Sequence, residues 1–278
     1  MKKRKKKATL PVLQTLDITL PQGWSELTSK QVTRVAYYLS LGVAETEFLV
    51  RLGLEFADLR PRGTRITEEG RIVYRYYHRQ RGNVLLTAEQ VSSIAEAMRW
   101  VTKEPEPMAA PILDGLPTPD AQLYGVTFEQ FITADTACAA YVRTQNPDAL
   151  RMMCAAFYPK SGRFDPEKVE AEARRIAYLP VWQLEAVVLW FIGAKKMLTR
   201  KYPALYAATG SEESPASGGE VLLGLLSSLN EGRVIDNERI KATELHEVFY
   251  ELNRRVRAAE KAESWINTWK SGSPDSRS

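Results

Sequence analysis

Apolar residues recur at helical spacing along most of this chain, and polar punctuation marks where the helices begin. Three segments read Thr-x-x-Gln, at Thr28 to Gln31, Thr87 to Gln90 and Thr127 to Gln130. In each, the threonine oxygen can accept a bond from an otherwise unpaired N–H of the first turn, while the glutamine reaches back to the cap residue. After Thr28, the positions Val32, Val35, Ala36 and Leu39 share one helical face, Gly42 is a stop, and a second short helix ends near Gly53. The stretch "RIVYRYYHR", residues 71–79, is instead β-branched and aromatic. It predicts a strand, with "VLQTLDITL" at residues 12–20 as its candidate partner.

Five prolines, Pro105, Pro107, Pro111, Pro117 and Pro119, then remove helix donors and fix φ, so residues 102–126 read as an ordered loop or stiff linker at a subdomain boundary. Helices follow near 127–143, 147–157 and 166–178, the last with Asp165 as cap and Pro166 at its first position. Pro180 opens another, whose stretch "LEAVVLWFIGAKKML" is apolar almost all round and so belongs at the centre of a bundle. The fold class is mainly α: a helical bundle with a small N-terminal α+β segment. The expected organisation is a basic tail at 1–7, an α+β subdomain at 8–101, the proline-rich linker at 102–126 and a central bundle at 127–206. A Gly/Ser/Pro linker at 207–219, a C-terminal helical segment at 220–270 and a polar tail at 271–278 complete it. Within the C-terminal segment "VLLGLLSSL" and one long stretch, Asn237 to Trp269, read as helices.

Length and composition fit an ordinary folded protein: 278 residues, 44% apolar and 26% charged. The net charge of +4 is misleading, because Lys2, Lys3, Arg4, Lys5, Lys6 and Lys7 carry six positive charges and leave the remainder slightly acidic. That tail is a candidate contact for nucleic acid, and the body has no matching charge excess. Cys138 and Cys154 sit among small apolar residues inside predicted helices, where unpaired cysteine behaves as a small buried hydrophobe. A reducing compartment fits. The longest apolar run, "AVVLWFIGA", is roughly half of the ~20 residues a bilayer span needs. The expectation is a cytoplasmic protein with no membrane contact.

Candidate chemistry is sparse. Residues 27–54 resemble the first two helices of a helix-turn-helix of the LuxR type, but Pro61, Gly63 and a strand-like run occupy the place of the recognition helix. "HEVFY", residues 246–250, begins like the zinc motif H-E-x-x-H and ends in Tyr250, which loses the second ligand. His78 is the only other histidine, and no phosphate loop, dinucleotide fingerprint, G-x-S-x-G elbow or C-x-x-C is present. No enzyme activity, metal or cofactor is expected. One acid stands out: with Phe128 at 0° and a step of about 100° per residue, Asp135 falls near 340°, inside the apolar arc of its helix. A buried carboxylate must be bonded or paired, and with no histidine or second acid grouped beside it, Asp135 reads as a structural brace to a helix N-terminus, an arginine or a tyrosine hydroxyl. Trp182, Trp190, Phe191, Phe157 and Tyr158 read as core. On the last helix Leu245, Leu252, Ala259 and Ile266 recur every seven residues, with Val248, Phe249 and Val256 between them and Trp265 and Trp269 near the end. Apart from Ala259, these residues are the candidate partner-binding face.

Two long stretches carry a family resemblance. "LYGVTFEQFITADTACAAYVRTQNPDALRMMCAAFYPKSGRFDPEKV" with "VVLWFIGAKKMLTRKYPALY", and later "LLSSLNEGRVIDNERIKATELHEVFYELNRRVRAAEKAE", resemble a set of proteins from tailed-phage and prophage tail clusters of the Bacteroides group of bacteria. The resemblance covers about half the chain, mainly residues 123–269, and rests on structural residues rather than a catalytic signature. It implies a non-enzymatic, mostly helical tail assembly factor in the bacterial host cytoplasm, chaperone-like, with a helical tail protein such as the tape measure or the tube as partner. The alternative is a DNA-binding regulator or packaging accessory that uses the basic tail and the partial helix-turn-helix.

Overall fold

All three Thr-x-x-Gln segments open helices, because each forms both bonds of the reciprocal cap. The Gln31, Gln90 and Gln130 N–H groups donate to the Thr28, Thr87 and Thr127 hydroxyls, and each glutamine amide oxygen accepts from its threonine N–H. The helices they start are α1 (Ser29–Ser40), α3 (Ala88–Ala97) and α4 (Phe128–Thr144). The protein, seen in a computed structural model, is described over residues 18–68, 70–208 and 234–272, and for 208, 234–237 and 266–272 over the backbone alone. The described chain is mainly helical with one small antiparallel sheet near the N-terminus. The basic tail, the partner strand expected before residue 18, most of the 207–219 linker and "VLLGLLSSL" lie outside the described residues.

The chain divides into two compact units. The smaller has residues 41–104 and the described residues up to Gly23. It contains α2 (Glu45–Phe56), the strands β1 (Leu59–Ile66), β2 (Ile72–His78) and β3 (Gly82–Leu86) in the order β1-β2-β3, and α3. β2 therefore pairs with β1 on one side and β3 on the other. Pro61, Gly63 and three charges disguised β1, but an edge strand tolerates proline at a bulge, and the register shifts between Pro61 and Gly63. Leu49, Leu52, Leu59, Tyr76, Leu86, Ile94 and Met98 fill this unit's core. Gly53 does not end α2. It lies inside the helix, where a Cβ would stand 2.6 Å from Ile94 Cγ2, so its role is to let α3 approach.

The larger unit takes residues 24–40 and everything from Pro105 onward. α1, expected with the α+β part, belongs here and packs on α7 (Val181–Lys201). Around α7 stand α4, α5 (Pro147–Phe157), α6 (Val169–Arg175), α8 (Pro203–Ala208), α9 (Val234–Lys241) and α10 (Leu245–Gly272). α7 is the central helix its composition predicts, with Leu184, Val187, Trp190, Phe191, Ala194 and Leu198 all buried. Its aromatic rings continue a chain of edge contacts: Phe157 to Trp190 at 5.1 Å, Phe131 to Phe191 at 5.6 Å and Phe131 to Phe249 at 5.5 Å.

Of the two readings of residues 105–126 the ordered loop holds: the segment is a strap across this bundle. Met108, Ala110, Leu113, Leu123 and Val126 are buried, the Tyr158 hydroxyl donates to Pro111 O (2.6 Å), and Trp190 Nε1 donates to Ala121 O (3.1 Å). The strap presses so close to α7 that a Cβ on Gly193 would meet Glu106 O at 2.4 Å. Glu106 in turn binds Lys196 (2.8 Å) and Arg200 (2.7 Å), one and two turns further along α7.

The long C-terminal helix expected from Asn237 to Trp269 is broken at Ala242–Glu244 into α9 and α10. A tertiary contact causes the break. The Phe128 N–H, unpaired at the start of α4, donates to Thr243 O (2.9 Å), and the Leu245 N–H at the start of α10 donates to Val126 O (2.8 Å). Two helix N-termini thus satisfy each other's orphan donors, and Glu244 caps α10 through the Glu247 N–H (3.1 Å).

Candidate interaction surfaces

Asp135 is a brace, though not to the groups first expected. It is 2% exposed, and Lys195 Nζ, on α7, donates to its Oδ1 at 2.7 Å. The pair ties α4 to α7 at the centre of the bundle. Cys138, one turn along α4, has its thiol pushed up to about 11 by burial, with the Asp135 charge adding and the Lys195 charge opposing. The Tyr206 hydroxyl is pushed up by burial and by the same carboxylate. Cys154 is fully buried with Sγ against Leu184 O (3.6 Å), and its thiol is also raised by burial. These groups are held in their protonated, unreactive forms.

His246, the zinc-like histidine, spends both ring nitrogens on the framework. Nε2 donates to Gln122 O (2.8 Å), which leaves Nδ1 to accept from the Tyr202 hydroxyl (2.9 Å). That tautomer follows from the carbonyl, which can only accept. Tyr250 points outward at 65% exposure. Among the described residues no group of three or more His, Cys, Asp or Glu could hold a metal ion.

The apolar stripe of α10 divides in two. Leu245, Val248, Phe249 and Leu252 are buried in the protein's own bundle, so these four are core and not a partner-binding face. Asn253 marks the last core position, where its Oδ1 accepts the Leu205 N–H (3.1 Å) near the start of α8. Beyond it Val256 is half-buried, and the other positions from Arg254 to Trp265 are exposed, Trp265 to 80%. Ile266 and Trp269 lie on the same helix, their side chains outside the described residues. The split was visible as a change in composition: "RRVRAAEKAE" follows a run rich in Leu, Val and Phe. A heptad count does not register it.

Of the expected core aromatics, Trp190, Phe191, Phe157 and Tyr158 are fully buried, and Trp182 is half-buried with an edge contact to Tyr37 at 5.3 Å. α1 and α2 belong to different units, and β1 follows α2 where a recognition helix would have to stand.

A second surface escaped the motif search. Residues 59–86 hold seven arginines, Arg60, Arg62, Arg65, Arg71, Arg75, Arg79 and Arg81, against two acids, Glu68 and Glu69, and no lysine. A charge count window by window finds this excess, whereas a whole-chain sum hides it. Compared with known proteins, the chain matches no family model, no curated protein and no solved structure. No helix among the described residues is long and apolar enough to cross a membrane.

Proposed function

We propose that this protein is a non-enzymatic assembly factor that docks a helical protein partner on the outer half of α10. The observation that carries the reading is the continuation of that helix past its last core contact. From Arg254 to Gly272 it runs on for roughly 28 Å at about 1.5 Å per residue, with Trp265 exposed. A large exposed tryptophan beyond the last core position of a helix is the kind of anchor that helix-to-helix recognition uses. The resemblance to tail-cluster proteins supplies the partner: a phage tail protein, the tape measure or the tube, held in the host cytoplasm before polymerisation.

Affinity capture from cells that co-express the neighbouring tail genes tests this. The wild-type protein should retain the tape-measure or tube protein, and Trp265→Ser should release it while leaving the thermal melt unchanged. If wild type recovers neither protein, or if Trp265→Ser captures as much as wild type, the reading fails.

A further inference from the structure

We infer that the arginine face of the β1–β2 ribbon is a contact surface for duplex DNA, distinct from the basic tail and from the α10 arm. The register places Arg60 opposite Tyr77, Gly63 opposite Arg75 and Arg65 opposite Val73. Alternation along each strand therefore gathers Arg60, Arg65, Arg75 and Tyr77 on one face. Arg62, at the irregularity between Pro61 and Gly63, joins them with its guanidinium 5.4 Å from the Tyr77 ring centroid, and Arg75 Nη2 donates to the Arg62 carbonyl (3.3 Å).

These cations lack the neutralisation found elsewhere in the protein. Arg51, Arg99, Arg151, Arg175 and Arg254 each lie against a carboxylate. Arg60, Arg62, Arg65, Arg75, Arg79 and Arg81 are all exposed, and none forms an ion pair with an acid among the described residues. Like charges gathered on one sheet face destabilise it, so the arrangement costs stability unless an anion completes it. The use of arginine alone matters too: its planar fork bonds a phosphate bidentately, which lysine cannot do.

Shape selects the anion. β1 is an edge strand exposed from Arg60 to Ile66, and β3 reaches only as far as Tyr74 on β2. Beyond that point the sheet narrows to two strands ending in the turn closed by Gly70 N–H to Thr67 O. Such a ribbon, with Arg65 on it and Arg60, Arg62 and Arg75 on the three-stranded part at its base, fits the B-DNA major groove, about 12 Å wide, and not the deep, narrow major groove of A-form RNA. Ile66 and Ile72, paired at the ribbon's end and 69% and 58% exposed, fall on the opposite face by the same alternation, so the arginine face meets the duplex without them.

Fluorescence anisotropy with a labelled DNA duplex, run on the full chain across a salt series, tests the assignment against the triple variant Arg62→Gln, Arg65→Gln, Arg75→Gln. Each neutralised phosphate contributes a slope of about 0.9 in log affinity against log salt, so a fourfold rise in salt should weaken wild type about 40-fold more than the variant. The basic tail is present in both proteins and cancels. Circular dichroism melts confirm that the variant folds, and if it melts early, Arg65→Gln alone carries the same comparison at a third of the slope change. Equal slopes overturn the proposal, as does absence of duplex binding by wild type at low salt. Equal affinity for a duplex RNA of the same length overturns the groove assignment. Binding to phosphatidylserine vesicles without binding to DNA, lost in Ile66→Ser, Ile72→Ser, would give the ribbon to a membrane and also sink it.

Discussion

Replacing Asp135 by asparagine keeps the size of the side chain and removes its charge, which isolates the contribution of the ion pair. The carboxylate is 2% exposed and its partner Lys195 14% exposed, so both charges sit largely out of water. Removing one member of a buried pair costs about 3–5 kcal/mol, and the partial access of Lys195 to solvent points to the lower end, about 3 kcal/mol. For a unit of this size that corresponds to a drop in melting temperature of about 6–12 °C. Urea unfolding monitored by far-ultraviolet circular dichroism gives the free energy directly. The double variant Asp135→Leu, Lys195→Met is the control, because apolar groups of similar volume remove both charges and should recover most of the loss. If Asp135→Asn unfolds within about 0.5 kcal/mol of wild type, the pair does not brace the bundle and the framework role fails.

Two further predictions probe the same unit. Gly193→Ala sets a Cβ 2.4 Å from Glu106 O, against backbone that cannot rotate away, so it should cost about 1–3 kcal/mol and speed hydrogen exchange in the strap; an unchanged melt would refute the close packing. With Cys138 pushed up to about 11, only about one thiol in a thousand is ionised at pH 8, and Cys154 is fully buried. A chromogenic thiol reagent should therefore find no reactive cysteine in native protein and two in denaturant, and a thiol that titrates rapidly in the native state would contradict the burial.

The two proposed surfaces use different physics. The α10 arm offers apolar contact from an exposed tryptophan, which should bind with little dependence on salt. The ribbon offers exposed guanidinium groups, which should bind with a strong one. Salt titration of each complex separates them, and neither proposal falls with the other because the α10 arm and the ribbon belong to different units.

What the sequence determined by itself is local. The three capping boxes close within four residues, so Thr28, Thr87 and Thr127 announce their helices without help from the rest of the chain. Continuous apolar composition marked α7 as central, and the wheel position of Asp135 marked it as buried. Tertiary structure decided whatever depends on a partner far away in the chain. Lys195 answers Asp135 from 60 residues on, and the strap fits α7 only because Gly193 has no side chain. The break before Leu245 exists because the Phe128 N–H donates to Thr243 O and the Leu245 N–H donates to Val126 O, across more than a hundred residues. Periodicity reports which face of a helix is apolar, but not how much of its length finds a neighbour, and that is why one stripe on α10 is core as far as Leu252 and exposed at Trp265.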